Sequence, residues 1–129
     1  MSTDAQAEAI KGLIATATKA PCYDHDEARA LGSSLPGMHT EIYLSRRFGG
    51  NVRGGTQETD LRRLQTRAVA TTVTNARLIE DRTADLFSHA THTIAGLRVH
   101  FAYESGGGEF EYDTTTQRYH ALTDWTFAV

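Results

Sequence analysis

The 129-residue chain has one cysteine, Cys22, which excludes an intrachain disulfide and any multi-cysteine metal site. No apolar run approaches the roughly 18 residues a membrane-spanning helix needs. The first ten residues, M-S-T-D-A-Q-A-E-A-I, lack the basic-then-apolar layout of a signal peptide, so synthesis in the cytosol without secretion is expected. Excess charge is scarce as well. A net charge of −3 does not by itself point to a nucleic acid or a membrane partner. No internal repeat or low-complexity tract is present. What remains is ordinary for a globular chain, 40% hydrophobic and 22% charged, and the length suits one domain over residues 1–129 with a modest core.

Residues 62–87 organise the rest. Leu64, Thr66, Ala68 and Ala70 alternate with Gln65, Arg67, Val69 and Thr71, the period of a half-buried strand. From Ala76 the spacing changes to three and four, placing Ala76, Ile79, Thr83, Leu86 and Ala90 on one helical face. Arg77, Asp81, Asp85 and Ser88 fall on the wet side. Thr72 or Thr74 is suited to cap this helix, because a threonine hydroxyl accepts from an early unpaired N–H.

Ahead of this unit, residues 3–18 predict a first helix with Ala9, Ile10, Leu13, Ile14 and Ala17 as its apolar stripe and Asp4, Glu8 and Lys11 in water. Thr3 and Gln6 have capping-box spacing. Gly12 weakens the helix, and Pro21 ends it. Residues 22–27 start as an extended piece and run into a loop closed by Leu35-Pro36-Gly37. Residues 40–46 predict a strand with Ile42 and Leu44 inward. Residues 48–59, F-G-G-N-V-R-G-G-T-Q-E-T, carry four glycines and no apolar period, so a long flexible loop is expected at about 47–60. Beyond the central unit, residues 97–103 alternate as one strand, 109–112 as a short one, and 118–129 as the last, with Tyr119, Ala121, Thr123, Trp125 and Phe127 on one face. The order predicts an α+β fold: a mostly antiparallel sheet of about four to five strands with two helices packed on one face.

Candidate chemistry is thin. Asp24-His25-Asp26-Glu27 is the only dense group of potential ligands, but consecutive residues rarely converge on one ion, and a solvated acidic loop is the favoured reading. His89 and His92 lack the spacing of a zinc-hydrolase helix, and His89 suits a helix C-terminus by its dipole. His25, His39, His100 and His120 receive no catalytic role. Cys22 sits in no nucleophile motif, and the paired glycines match no phosphate-binding loop. No catalytic residue, metal site or cofactor is expected. The concentrated feature is basic: Arg46, Arg47, Arg53, Arg62 and Arg63 place five of the thirteen Lys and Arg residues within eighteen positions. With few aromatics nearby they make a weak nucleic-acid signal, whereas guanidinium forks suit carboxylates on a neighbouring subunit. Arg46, Arg47, Phe48, Arg53, Arg62 and Arg63 are therefore the candidate assembly loop.

Several pieces in order resemble the tail terminator proteins of long-tailed bacteriophages, particularly of phages that infect actinobacteria. They are A-P-C-Y-D-H-D-E at 20–27, L-P-G-M-H-T-E-I-Y-L-S-R-R-F-G-G at 35–50, the glycine- and arginine-rich segment, R-A-V-A-T-T-V-T-N-A-R at 67–77, and D-W-T-F at 124–127. The resemblance covers most of the chain. It implies a non-enzymatic virion protein of small α/β fold at the head-proximal end of the tail, found in the host cytoplasm during assembly. It also implies a homo-hexameric ring whose partners are the major tail tube protein and the head-tail connector protein. Two other classes make different demands. A small ligand-binding domain requires an apolar pocket with convergent polar groups. A metal-dependent hydrolase requires a cluster built around Asp24, Asp26 and His100.

Overall fold

The computed structural model describes residues 3–47, 61–88 and 90–129. Helix α1 (Thr3–Thr18) turns Gln6, Ala7, Ile10, Ile14 and Thr18 inward, a stripe rotated slightly from the one expected. Gln6 does not reach back to Thr3. Its Oε1 accepts from Arg62 Nε at 3.1 Å inside the protein. An interior guanidinium requires an acceptor, whereas the helix end can be satisfied by water.

Strand β1 (Cys22–Asp24) pairs in parallel with β2 (Met38–Arg47), and helix α2 (His25–Leu31) with a 3-10 turn (Gly32–Ser34) connects them. The expected acidic loop is corrected here. Asp24 stands at the N-cap, and Glu27 accepts its backbone N–H at 3.0 Å, so the acidic run is a helix start. Only Ala28 of α2 is buried, which leaves the sequence no apolar stripe to announce it.

Strand β3 (Leu61–Ala70) runs antiparallel to β2 from Met38↔Ala70 to Arg47↔Leu61. Strand β8 (Arg118–Ala128) pairs antiparallel with β3 on its other side. Strands β6 (Ala102–Gly106) and β7 (Glu111–Asp113) both pair with the far edge of β8. The main sheet is thus six-stranded, in the order β1-β2-β3-β8-β6 with β7 also on β8. Helix α3 (Val73–Ser88) follows β3 directly, and Thr72 caps it by accepting the Asn75 N–H at 3.2 Å. Its buried face is Ala76, Ile79, Thr83 and Phe87. Leu86 is half-buried, and Ala90 lies past the helix end.

Helix α1 lies against β2 and α3, and α3 against β3 and β8. These two helices cover the sheet face that carries Ile42, Leu64, Trp125 and Phe127. The α+β architecture matches the expectation, with α2 as an added short helix at the β1 edge.

The single strand expected at 97–103 is two strands. Strands β4 (Thr91–Ile94) and β5 (Leu97–His100) form a separate hairpin, closed by Ala95 (φ 49°) and Gly96 (φ 86°). Positive φ at both central positions matches the twist of a two-residue hairpin, but alanine is a poor advertisement for it. The chain then crosses to the main sheet at Phe101, which is buried with ring centroids 4.2 Å from Phe87 and 4.8 Å from Phe127. Phe101 thus anchors the crossing between the two sheets. Gly106, Gly107 and Gly108 all have positive φ, and a Cβ on Gly106 would meet Leu122 O at 2.4 Å. Only glycine admits that approach.

Candidate assembly surfaces and an interior cleft

The alternation of β3 sends its arginines to opposite faces. Arg62 shares the helix-covered face with Leu64 and is 5% exposed, held by Gln6. Of the candidate assembly arginines, Arg62 is thus one whose side chain is buried within the chain. Arg63 points to the outer face, where its Nη2 donates to Asp124 Oδ2 at 2.9 Å. Gln65 Nε2 and Ser105 Oγ donate to the same carboxylate, at 3.3 and 3.1 Å. Asp124 of β8 therefore joins β3, β8 and β6 across the outer face. Arg46 is exposed at the end of β2, and Arg47 is the last residue of that strand. Phe48, Arg53 and the segment 48–60 lie outside the described residues, as does His89.

Further along the outer face, His25, Glu41, Tyr43, Gln65, Arg67 and Leu122 line a concavity of about 250 Å³. Tyr43 is 52% exposed and meets the His25 ring edge-on. The Arg67 side chain makes no hydrogen bond with any described residue; it faces Glu41 electrostatically and shares a second, smaller concavity with Glu41, Asp113 and His120. Glu41 is itself engaged: its Oε2 lies 2.8 Å from Nε2 of the fully buried His39, whose Nδ1 lies 2.9 Å from Pro36 O. The hydrogen bond from His39 holds the Glu41 carboxyl below its usual range, against the opposing effect of burial.

The β6–β7 edge of the sheet is acidic. Residues 102–113 contain Glu104, Glu109, Glu111 and Asp113 and no Lys or Arg. Every residue of β6 is exposed, with Tyr103 60% and Tyr112 of β7 48% accessible. This stretch was not among the site candidates, although its one-sided charge is visible in the sequence.

A cleft of about 280 Å³ lies between α3 and the covered sheet face, bounded by Thr40, Thr66, Glu80, Thr83, Trp125 and the Gly106–Gly108 turn. Glu80 Oε1 accepts the Gly108 N–H at 2.9 Å. Glu80 Oε2 and the buried Thr40 Oγ1 have no hydrogen-bond partner among the described residues.

The ligand-like acidic run is divided among structural tasks. Glu27 caps α2 and binds Lys11 Nζ at 2.5 Å, and Glu8 meets the same ammonium at 2.7 Å. Burial alone would lower the Lys11 pKa, but the hydrogen bonds its ammonium donates to Glu27 and Glu8 outweigh it and raise the pKa above its ordinary range. Lys11 therefore ties α1 to α2 instead of standing in water as expected. His100 lies on β5 in the separate hairpin and Asp24 on β1 at the sheet edge, so the hydrolase cluster is not assembled. Among the described residues no group of three His, Cys, Asp or Glu side chains is arranged to hold a metal. Burial pushes the Cys22 thiol up to about 12, with Lys11 opposing, so little reactive thiolate exists near neutral pH.

No protein-family model matches the chain, and no curated protein matches it in sequence. Its fold is similar to that of solved structures. A chain from the virion of a native gene transfer agent particle aligns with a TM-score of 0.63 at 9% identity, covering 98% of this chain and 92% of that one. A second solved structure aligns at 0.55 with 13% identity, covering 100% of this chain and 96% of its own. Identities this low establish a shared fold, here an α+β fold that a virion chain also has.

Proposed function

We propose that this chain is a structural, non-enzymatic protein of a phage-like virion. In its finer form, the reading makes it a tail terminator. Six copies close into a ring on the completed tail tube, stop addition of tube protein, and offer a surface to the head-tail connector. The observation that carries the reading is the end-to-end fold likeness to a virion chain, joined to the motif order at 20–27, 35–50, 67–77 and 124–127. The arginine segment fits the same role. Arg46, Arg47, Phe48, Arg53 and Arg63 contact a neighbouring copy, the tube end or the connector, and Arg62 supports them from inside. A guanidinium fork suits paired carboxylates on such a surface.

The test is addition of purified protein to polymerising tube protein. Tubes of fixed length with a ring at one end are expected, and tubes that keep growing with bare ends would sink the reading. Deletion of residues 50–58 in a variant that still folds should abolish capping; normal capping by that variant would remove the segment from the interface.

The cleft beneath α3 favours a second reading, a small-ligand domain. Its walls are largely apolar, and the unpartnered Glu80 Oε2 and Thr40 Oγ1 offer acceptors to a small amine or polyol. Thermal shift against a panel of such compounds tests it. A rise in Tm that Glu80→Gln abolishes supports binding, and no shift with any compound ends the reading.

A further inference from the structure

Charges of opposite sign sit on different strands of the main sheet. Strands β2 and β3 carry Arg46, Arg47, Arg62, Arg63 and Arg67 against one carboxylate, Glu41, while residues 102–113 carry four acids and no base. Strand order separates β2 from β6 by β3 and β8. Arg63 answers part of this charge within the chain, through Asp124 and at longer range Glu104. Arg67 is different. Its side chain lines the outer concavity with Tyr43 and Leu122 and makes no hydrogen bond with a described residue. A guanidinium so placed is built to take a carboxylate, since its planar fork matches one in two parallel hydrogen bonds.

We infer that the acidic β6–β7 edge of one copy docks on the β2–β3 outer face of the next, with Glu109 or Glu111 reaching Arg67 and the exposed Tyr112 packing beside Tyr43 and Leu122. The occupant is a second copy because the complementary charge lies on this same chain, exposed along the β6–β7 edge. Two different patches joined head to tail make a heterologous contact, which closes into a ring when the rotation allows. Exposed tyrosines supply contact area at both patches, as interfaces favour. This inference rests on the ring reading above and names the surfaces that form the ring.

The experiment uses the full chain, with tail tubes supplied as template, and reads ring assembly by native mass and electron microscopy. Arg67→Glu and the pair Glu109→Arg with Glu111→Arg are each expected to raise the concentration for half-assembly at least tenfold. Arg67→Gln serves in place of Arg67→Glu if circular dichroism shows that the reversal unfolds the chain. Mixing the two reversed variants should restore rings, because every junction then pairs opposite charges again. Reversed variants that assemble like the parent, or fail to rescue each other while folded, overturn the docking and leave the ring reading standing. A parent chain that forms no ring on tubes overturns the ring reading and the docking together.

Discussion

The two faces of the central sheet obey different rules. On the helix-covered face, Leu64, Trp125 and Phe127 belong to the buried core beneath α1 and α3, and the buried Arg62 is held by Gln6. On the outer face, Arg63, Gln65 and Asp124 form a hydrogen-bonded network while Tyr43, Arg67 and Leu122 stand around an open concavity. Antiparallel sheets commonly bury one face and wet the other. The buried face fixes the fold. The outer face and the acidic edge can vary in charge and aromatic content without disturbing it, which suits them to recognition.

Substitutions that contrast the faces should differ most. Phe87→Ala removes a fully buried ring packed on Phe101 and Trp125 and should cost about 3–5 kcal/mol in urea unfolding. Arg63→Ala on the outer face should leave the midpoint nearly unchanged, because exposed ion pairs are weak. Similar losses at the two sites would break the distinction. Next in size, Arg62→Ala strands the buried Gln6 carbonyl and should cost about 1–3 kcal/mol; a loss as small as that of Arg63→Ala would show that Arg62 belongs with the outer surface.

Glu41 gives the outer face a pH signature. Its folded pKa lies below the usual 4.5, so the stability it supplies is fully present above that value and is lost as pH falls from 4.5 through the folded pKa. The Tm of the parent chain should drop over that acidic window more steeply than that of Glu41→Gln, and parallel curves would contradict the pairing with His39. The smallest effect has the opposite sign. Gly12 in α1 is exposed with nothing near an added Cβ, so Gly12→Ala should stabilise by about 0.5–1 kcal/mol, read as a raised urea midpoint.

Long, strongly periodic elements were legible. The alternation of β3 and β8 and the three- and four-residue spacing of α3 carried their own faces, and Thr72 its cap. The elements that escaped are those whose burial does not follow a period. Helix α2 buries one alanine, so its acids looked like a loop. Strands β5 and β6 alternate continuously through Phe101, yet the backbone changes sheets there, and a turn built on Ala95 gives no warning. The surfaces were half legible. Arginine density was plain, but strand phase inside the sheet decides that Arg62 is interior and Arg63 exterior. Arg67 stands apart only once its neighbours are known. The acidic stretch at 102–113 gained meaning from strand order, which puts it along the sheet edge beyond β8.

The most direct measurement is solution mass by light scattering across protein and salt concentration, with and without purified tail tubes. Ring assembly through opposed charges predicts a species of six 14.2-kDa chains, appearing with concentration or on the tubes and receding as salt rises. A single-chain mass under every one of those conditions would contradict it.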